Sequence, residues 1–277
     1  MDRRNGSVGT QIIVKPDNTI VMEDFEIRQP GRGEVLIETV STLISAGTEL
    51  GTQEQPRTNG FAPGYSNAGK IIAIGSDIND YAVGDRVLSL GRHATHVTTS
   101  ATAQSLAIIP DDLTFDQGAY GVLGSVSLHG VRRAKVELGE FVVITGMGVV
   151  GQLALQLVSQ TGCEILIALD LSDQRLRVAE DSGATHVLNP QHVDVYSEIN
   201  RITGGRGIDL VIEASGYPEL LPVAFQLARI GGRIMLLGSI WHRKIEVDFM
   251  DLHEKELTLM GCHQPKCPTT STHHFPW

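Results

Sequence analysis

The chain has little cysteine and no framework for pairing it. Cys163, Cys262 and Cys267 are an odd set at spacings that suggest no disulfide scaffold, which argues against the small disulfide-rich secreted class. No uninterrupted apolar run approaches the roughly 20 residues that a membrane-spanning helix needs. The opening Met1-Asp2-Arg3-Arg4-Asn5 lacks the apolar core and cleavage site of a secretory leader. Clustered positive charge is missing too. With 22 Lys and Arg against 32 Asp and Glu, the net charge is −10, so neither nucleic acid nor an anionic membrane is expected as a partner. The densest basic group, Arg132, Arg133 and Lys135, reads as a solvated helix face. Repeats and low-complexity tracts are absent, and a reducing cytoplasm is the expected location.

What remains is the composition of a globular protein. At 277 residues and 42% apolar, one large or two modest domains with packed cores are expected. The first 115 or so residues read as β-rich. Val8–Val14, Val35–Thr39, Gly69–Ile74 and Arg86–Leu90 are short β-branched runs broken by Gly, Pro, Asn and Asp, a pattern of barrels and sandwiches. From Thr114 the pattern changes. Phe115–Ala134 reads as one helix, and helices at 173–182, 195–203 and 219–228 alternate with strands at 185–188, 208–214 and 233–238. Such alternation predicts a doubly wound parallel sheet.

The junction of the halves holds the strongest signal. The run Val142-Val143-Ile144-Thr145 passes into Gly146-Met147-Gly148-Val149-Val150-Gly151, then into a helical apolar pattern at Leu153, Leu157 and Val158. A second apolar run, Ile165–Leu169, ends at Asp170, about 20 residues past the last glycine, as a dinucleotide-binding unit requires. Gly146 allows the tight exit from the strand, Gly148 bares the backbone for a pyrophosphate, and Gly151 lets the helix lie on the sheet. The helix N-terminus, with Val149 and Val150 on its opening turn, offers N–H groups to phosphates. Asp170, with Leu171 beside it, can accept hydrogen bonds from ribose hydroxyls and would repel a 2′-phosphate, so NAD is expected over NADP. Ser215, Gly238 and Ser239 stand at carboxyl ends of strands, where they either border the cofactor or serve as ordinary turn residues.

These motifs, with Ser45-Ala46-Gly47-Thr48-Glu49, Pro63-Gly64-Tyr65-Ser66-Asn67-Ala68-Gly69, Gly84-Asp85-Arg86-Val87 and Phe249–Gly261, follow one another along essentially the whole chain. In that order they resemble the medium-chain dehydrogenase/reductase superfamily, which contains the zinc alcohol dehydrogenases. The Ser-Ala-Gly-Thr-Glu loop looks like that of the bi-domain oxidoreductase and bacteriochlorophyllide dehydrogenase-like branch. The resemblance implies an α/β fold: an N-terminal GroES-like β-barrel-type domain over residues 1–115, then a Rossmann domain over 116–262. Residues 263–277 would begin a return segment to the first domain, so the chain reads as truncated at its C-terminus. It also implies a homodimer or homotetramer when full length.

The departures from that family bear on mechanism. Where zinc members place a Cys and a His, this chain has Ala46 and Tyr65, and Ser66 replaces the Glu after that His. The region aligned with the third ligand, Tyr120–Gly124, holds no Cys, His, Asp or Glu, and the four-cysteine lobe is absent. Catalytic zinc needs three protein ligands plus an open position, so no zinc is expected. A competing metal reading rests on Cys262, His263, Cys267, His273 and His274, whose spacing is irregular; the alternative there is a plain connecting loop.

By the same resemblance, Thr48 matches the hydroxyl that relays the substrate proton, or is a turn-forming Thr. Tyr65 is an acid or oxyanion donor, or an aromatic filling the vacated space. Glu49 orients a neighbour or makes a surface ion pair. His93 is a proton shuttle or a solvent-facing strand histidine. Arg175 contacts the adenosine ribose or lies free on a helix. His129 is read as a packed histidine. The resulting expectation is an NAD(H)-dependent, zinc-independent oxidoreductase passing hydride between nicotinamide and a secondary alcohol, polyol or ketone. The competing expectations are an NADPH-dependent quinone or enone reductase and a non-catalytic dinucleotide-binding protein.

Overall fold

The computed structural model of the protein describes residues 7–53, 59–238 and 244–264. The chain divides into two compact units, residues 1–122 and 123–277.

The first unit is antiparallel. Strands β1 (Val8–Val14) and β2 (Ile20–Glu26) form a hairpin. Then come β3 (Glu34–Thr42), helix α1 (Ala46–Gln53), β4 (Asn67–Ile74), β5 (Arg86–Ser89), β6 (His96–Ser100) and β7 (Leu106–Ile108). The last five strands make one sheet in the order β6-β3-β4-β5-β7. Val35 and Ile37 alternate inward along β3 and pack with Ile71, Val87 and Leu106, so one face of the sheet is core. Isolated bridges from Gln11 to Ala94 and Val14 to Phe61 tie the hairpin to the loops beside that sheet.

The predicted helix over 115–134 is in fact two: α2 (Phe115–Ala119) and α3 (Gly121–Ala134). Thr114 starts the first by accepting from the Gln117 amide while the Gln117 side chain accepts from the Thr114 amide, a capping box. The break sits where the chain presses on the sheet, since a Cβ at Gly121 would come within 2.5 Å of Leu88.

The second unit is a doubly wound sheet of six parallel strands in the order β10-β9-β8-β11-β12-β13. In chain order its elements are β8 (Phe141–Thr145), α4 (Val149–Ser159), β9 (Ile165–Leu169), α5 (Asp173–Asp181), β10 (His186–Leu188), α6 (Val195–Thr203) and β11 (Ile208–Glu213). A 3₁₀ turn at Pro218–Leu220 precedes α7 (Leu221–Leu227), then β12 (Ala228–Leu236), α8 (Phe249–Glu254) and β13 (Thr258–Gly261). All of β8 is buried because helices cover both faces. Val142 and Ile144 pack with Leu155 and Val158 of α4 on one side. Val143 packs with Ile199 and Phe225 on the other. Strand β12 begins at Ala228, five residues ahead of the expected 233, because Ala228 pairs with Ile208 at the start of β11. Among the described residues no helix is long and apolar enough to cross a membrane.

Candidate functional site

Each unit carries a polar site of its own. In the second, the turn after β8 is built on three glycines with different duties. Gly146 has φ +87, and a Cβ there would lie 2.6 Å from the Ser215 Cα. At Gly151 a Cβ would lie 1.9 Å from the Gly146 carbonyl oxygen. At Gly148 it would meet nothing within 4 Å. Gly148 is the N-cap of α4, has extended backbone and makes no side-chain cap bond. Open space and uncapped amides coincide there, with the partial positive charge of the helix end. Val149 and Val150 form the first turn, and the Val150 carbonyl accepts from the buried Ser127 hydroxyl at 3.0 Å.

Asp170 follows β9. Its side chain is only 8% exposed, and its two oxygens accept from the Met147 amide at 2.7 Å and the Ser172 amide at 2.8 Å. The carboxylate therefore touches the glycine-rich turn itself and retains lone pairs for further donors. Arg175 does not lie free on the helix: its Nη1 stands 3.7 Å from Asp170 Oδ2. Leu171 is exposed, and its carbonyl accepts from Asn189. Ser215 and Gly238 lie in turns packed together, with a Cβ at Gly238 2.4 Å from the Gly216 amide nitrogen. Ser239, Cys267, His273 and His274, and residues 265–277 of the expected return segment, lie outside the described residues. These positions fit a dinucleotide, with the Gly148 opening and α4 amides for phosphates and Asp170 for a ribose.

In the first unit Thr48, Glu49, Tyr65 and His93 come together. His93 lies in the loop before β6, 5% exposed, which replaces the solvent-facing strand position by a buried one. Its amide donates to the Pro63 carbonyl at 2.9 Å and its carbonyl accepts from Ile12 at 2.9 Å. Gly64, at φ +102, permits this, because a Cβ there would lie 2.6 Å from the His93 nitrogen. The imidazole Nδ1 meets the Thr42 hydroxyl at 2.9 Å, and Nε2 meets the Glu49 carboxylate at 3.1 and 3.2 Å. Glu49, on α1, reaches back to accept from the Ser45 amide at 2.8 Å, so it is not a surface ion-pair residue.

The hydroxyls form a second arm. Tyr65, half-buried against Ala68, Leu88 and Ile109, donates to Ser45 Oγ at 2.5 Å. Thr48 Oγ1 lies 3.3 Å from the phenol oxygen. Tyrosine has one proton to give; with that proton committed to Ser45, Thr48 is the donor to Tyr65. Both arms meet at Ser45.

This donor set does not fit a catalytic zinc. Ala46 has no ligating atom, Tyr65 spends its phenol on hydroxyls, and the His93 nitrogen that could ligate is held by Glu49. Among the described residues no group of three His, Cys, Asp or Glu side chains is placed to hold a metal. His129, on α3, has its pKa lowered, first by burial and then by Arg133 and Arg132.

Two participants were not singled out from sequence. Ser45 opens the Ser45-Ala46-Gly47-Thr48-Glu49 run, where nothing local marks it as the meeting point of the two arms. Glu213, at the end of β11, is 1% exposed and accepts from the Ser215 and Gly216 amides. Its signal was available: a single acid closing the otherwise apolar run Ile208–Ile212 apart from Asp209, just ahead of Ser215-Gly216.

A GroES-like antiparallel unit followed by a Rossmann sheet with a dinucleotide turn defines a class, the two-unit nicotinamide-type dehydrogenase fold. Comparison with known proteins narrows it. Residues 149–274 match the family model for zinc-binding dehydrogenase. The chain is 37% identical over 175 residues to D-guloside 3-dehydrogenase of Escherichia coli K12, covering 63% of this chain and 50% of that one. It thus spans about half the length of that relative. It is 30% identical over 234 residues to (R,R)-butanediol dehydrogenase of Bacillus subtilis, covering 74% and 67%. A solved structure from Sinorhizobium meliloti 1021, bound to NADP, superposes with a TM-score of 0.82 at 25% identity, covering 93% and 85%. The chain belongs to the medium-chain dehydrogenase/reductase family and is alcohol-dehydrogenase-like.

Proposed function

We propose that the protein is an NAD(H)-dependent oxidoreductase of secondary alcohols or polyols and the matching ketones, working without zinc. The observation that carries the reading is the glycine-rich turn with Asp170 hydrogen-bonded to its Met147 amide. A carboxylate at that place accepts ribose hydroxyls and opposes a 2′-phosphate. The names of the relatives, a sugar-derivative dehydrogenase and a diol dehydrogenase, support a hydroxylated small-molecule substrate.

A nicotinamide dinucleotide, when bound, supplies the hydride acceptor or donor. The chain's own residues manage the proton. Thr48 accepts the substrate hydroxyl's hydrogen bond, donates to Tyr65, and Tyr65 donates to Ser45, so the hydroxyls form a row along which a proton can move away from the substrate oxygen while the Ser45 hydroxyl gives up its own proton to solvent water. Glu49 and His93 hold the row in place by fixing the Ser45 amide and the first turn of α1.

The test pairs cofactor with substrate. Purified protein is offered NAD and NADP with a panel of polyols and secondary alcohols, and NADPH with enones, while bound metal is quantified. Polyol oxidation with NAD preferred, unaffected by chelators, is expected. Enone reduction with NADPH, chelator-sensitive activity, or dinucleotide binding with no turnover would each replace this reading.

A further inference from the structure

Among the buried acids of the second unit, Glu213 stands beside the cofactor turn without a part in it so far. Glu213 closes β11 at the carboxyl edge of the parallel sheet, 1% exposed. Its Oε1 accepts from the Ser215 amide at 2.8 Å, from the Gly216 amide at 3.2 Å and from the Ser215 hydroxyl. Its main-chain carbonyl accepts from the amides of Leu237 and Gly238, both at 2.8 Å. One residue thus binds the turn that follows its own strand and the turn that follows β12.

Building on the dinucleotide reading above, we infer that Glu213 is a positioning residue for the cofactor, holding the Ser215–Gly216 turn against the glycine-rich turn. The spacing leaves no slack. A Cβ on Gly146 would lie 2.6 Å from the Ser215 Cα, and one on Gly238 would lie 2.4 Å from the Gly216 nitrogen. Three backbone turns therefore touch without intervening side chains, and a shift of Ser215–Gly216 is transmitted to Gly146 on one side and Gly238 on the other. Closely packed elements have few alternative arrangements, so the amide-lined opening at Gly148 inherits its position from this contact. Burial pushes the Glu213 carboxyl above its ordinary range, while hydrogen bonds from Ser215 and Gly216 pull the other way. An acid kept in so unfavourable a place needs a reason, and the clamp supplies one.

Three variants separate reach from charge. Glu213→Gln keeps an oxygen where Oε1 sits and loses the charge. Glu213→Asp keeps the charge and falls short of the turn. Glu213→Ala loses both. Each is titrated with NADH, amide exchange at residues 214–216 is followed in cofactor-free protein, and the KM for an alcohol is taken at saturating cofactor. Glu213→Gln is expected within about threefold of wild type in NADH affinity, whereas Asp and Ala loosen it about tenfold or more, with faster exchange and an unchanged alcohol KM. Wild-type affinity in folded Asp or Ala variants, or Asp outperforming Gln, overturns the inference. If Asp and Ala fail to fold, a Gln variant with raised exchange and tenfold weaker binding overturns it equally, and native-like behaviour of Gln supports it. A wild-type protein that binds neither coenzyme sinks the dinucleotide reading instead; the amide exchange in cofactor-free protein then still decides whether Glu213 clamps the turn.

Discussion

Tyr65 combines packing and hydrogen bonding in one side chain. Its ring packs on the Leu88 and Ile109 cluster, while its hydroxyl stands between Ser45 and Thr48. Phenylalanine would keep the packing and delete the link. Tyr65→Phe is therefore expected to lower kcat about 100-fold, the lower range for loss of a general acid–base group. Affinity for NADH should stay unchanged, because the dinucleotide residues lie in the other unit. Steady-state kinetics with a separate coenzyme titration checks both halves. A variant that retained full kcat would remove Tyr65 from the proton row. His93 differs in kind. Both its ring nitrogens are engaged, by Thr42 and Glu49, so its replacement should act through the shape of α1.

The glycine-rich turn separates folding from binding at the scale of an element. At Gly151 a Cβ would overlap the Gly146 carbonyl oxygen, a backbone atom that cannot step aside. Gly151→Ala should cost about 1–3 kcal/mol, the usual penalty of overpacking, and lower the melting temperature accordingly. At Gly148 the added methyl meets open space, and the N-cap change costs less than about 1 kcal/mol. Gly148→Ala should melt close to wild type and bind NADH more weakly, since the methyl occupies the approach to the α4 amides. Paired melting curves and NADH titrations test this; equal binding by the two variants would contradict the division of labour.

This turn was legible in the sequence because its constraints are local: glycines, a β-branched run and an acid at fixed spacing. Elements held by distant partners were not. Strand β2, Ile-Val-Met-Glu-Asp-Phe-Glu, is mostly exposed and has no clear alternation; pairing with β1 makes it a strand. Helix α1, Ala-Gly-Thr-Glu-Leu-Gly-Thr-Gln, is short and carries two glycines, poor helix formers. Its Glu49 gains from His93 and the Ser45 amide what local propensity does not provide. The site residues of the first unit could be nominated from the motif order, but the pairing of Glu49 with His93 joins residues far apart in the chain.

At the scale of the molecule, the parallel sheet carries the proposed coenzyme residues at one edge and a buried ion network at the other. The glycine-rich turn, Asp170 and Glu213 lie at the carboxyl edge. At the amino edge Asp209, 1% exposed, gathers the first residues of three strands and a loop. It accepts from the Phe141 amide at 2.8 Å, from Arg206 Nη2 at 2.8 Å and from Arg229 Nε. Arg206 also lies over the Phe141 ring, 4.4 Å from its centre. Burial pushes the Asp209 carboxyl up, but the hydrogen bonds from Phe141, Arg229 and Arg206 outweigh it and hold the group below the ordinary Asp value. A lowered pKa in the folded state means stability that is present above the unfolded value, near 4, and lost as pH falls through the folded one. Asp209→Asn should therefore cost about 2 kcal/mol at neutral pH, since both arginines are partly exposed and recover some hydration. Urea midpoints across pH should show the gap between variant and wild type closing below about pH 4. NADH affinity should stay at the wild-type level, because the altered group sits a strand's length from the cofactor edge. A coenzyme affinity that fell with the loss of stability would mean that the two edges of this sheet are coupled.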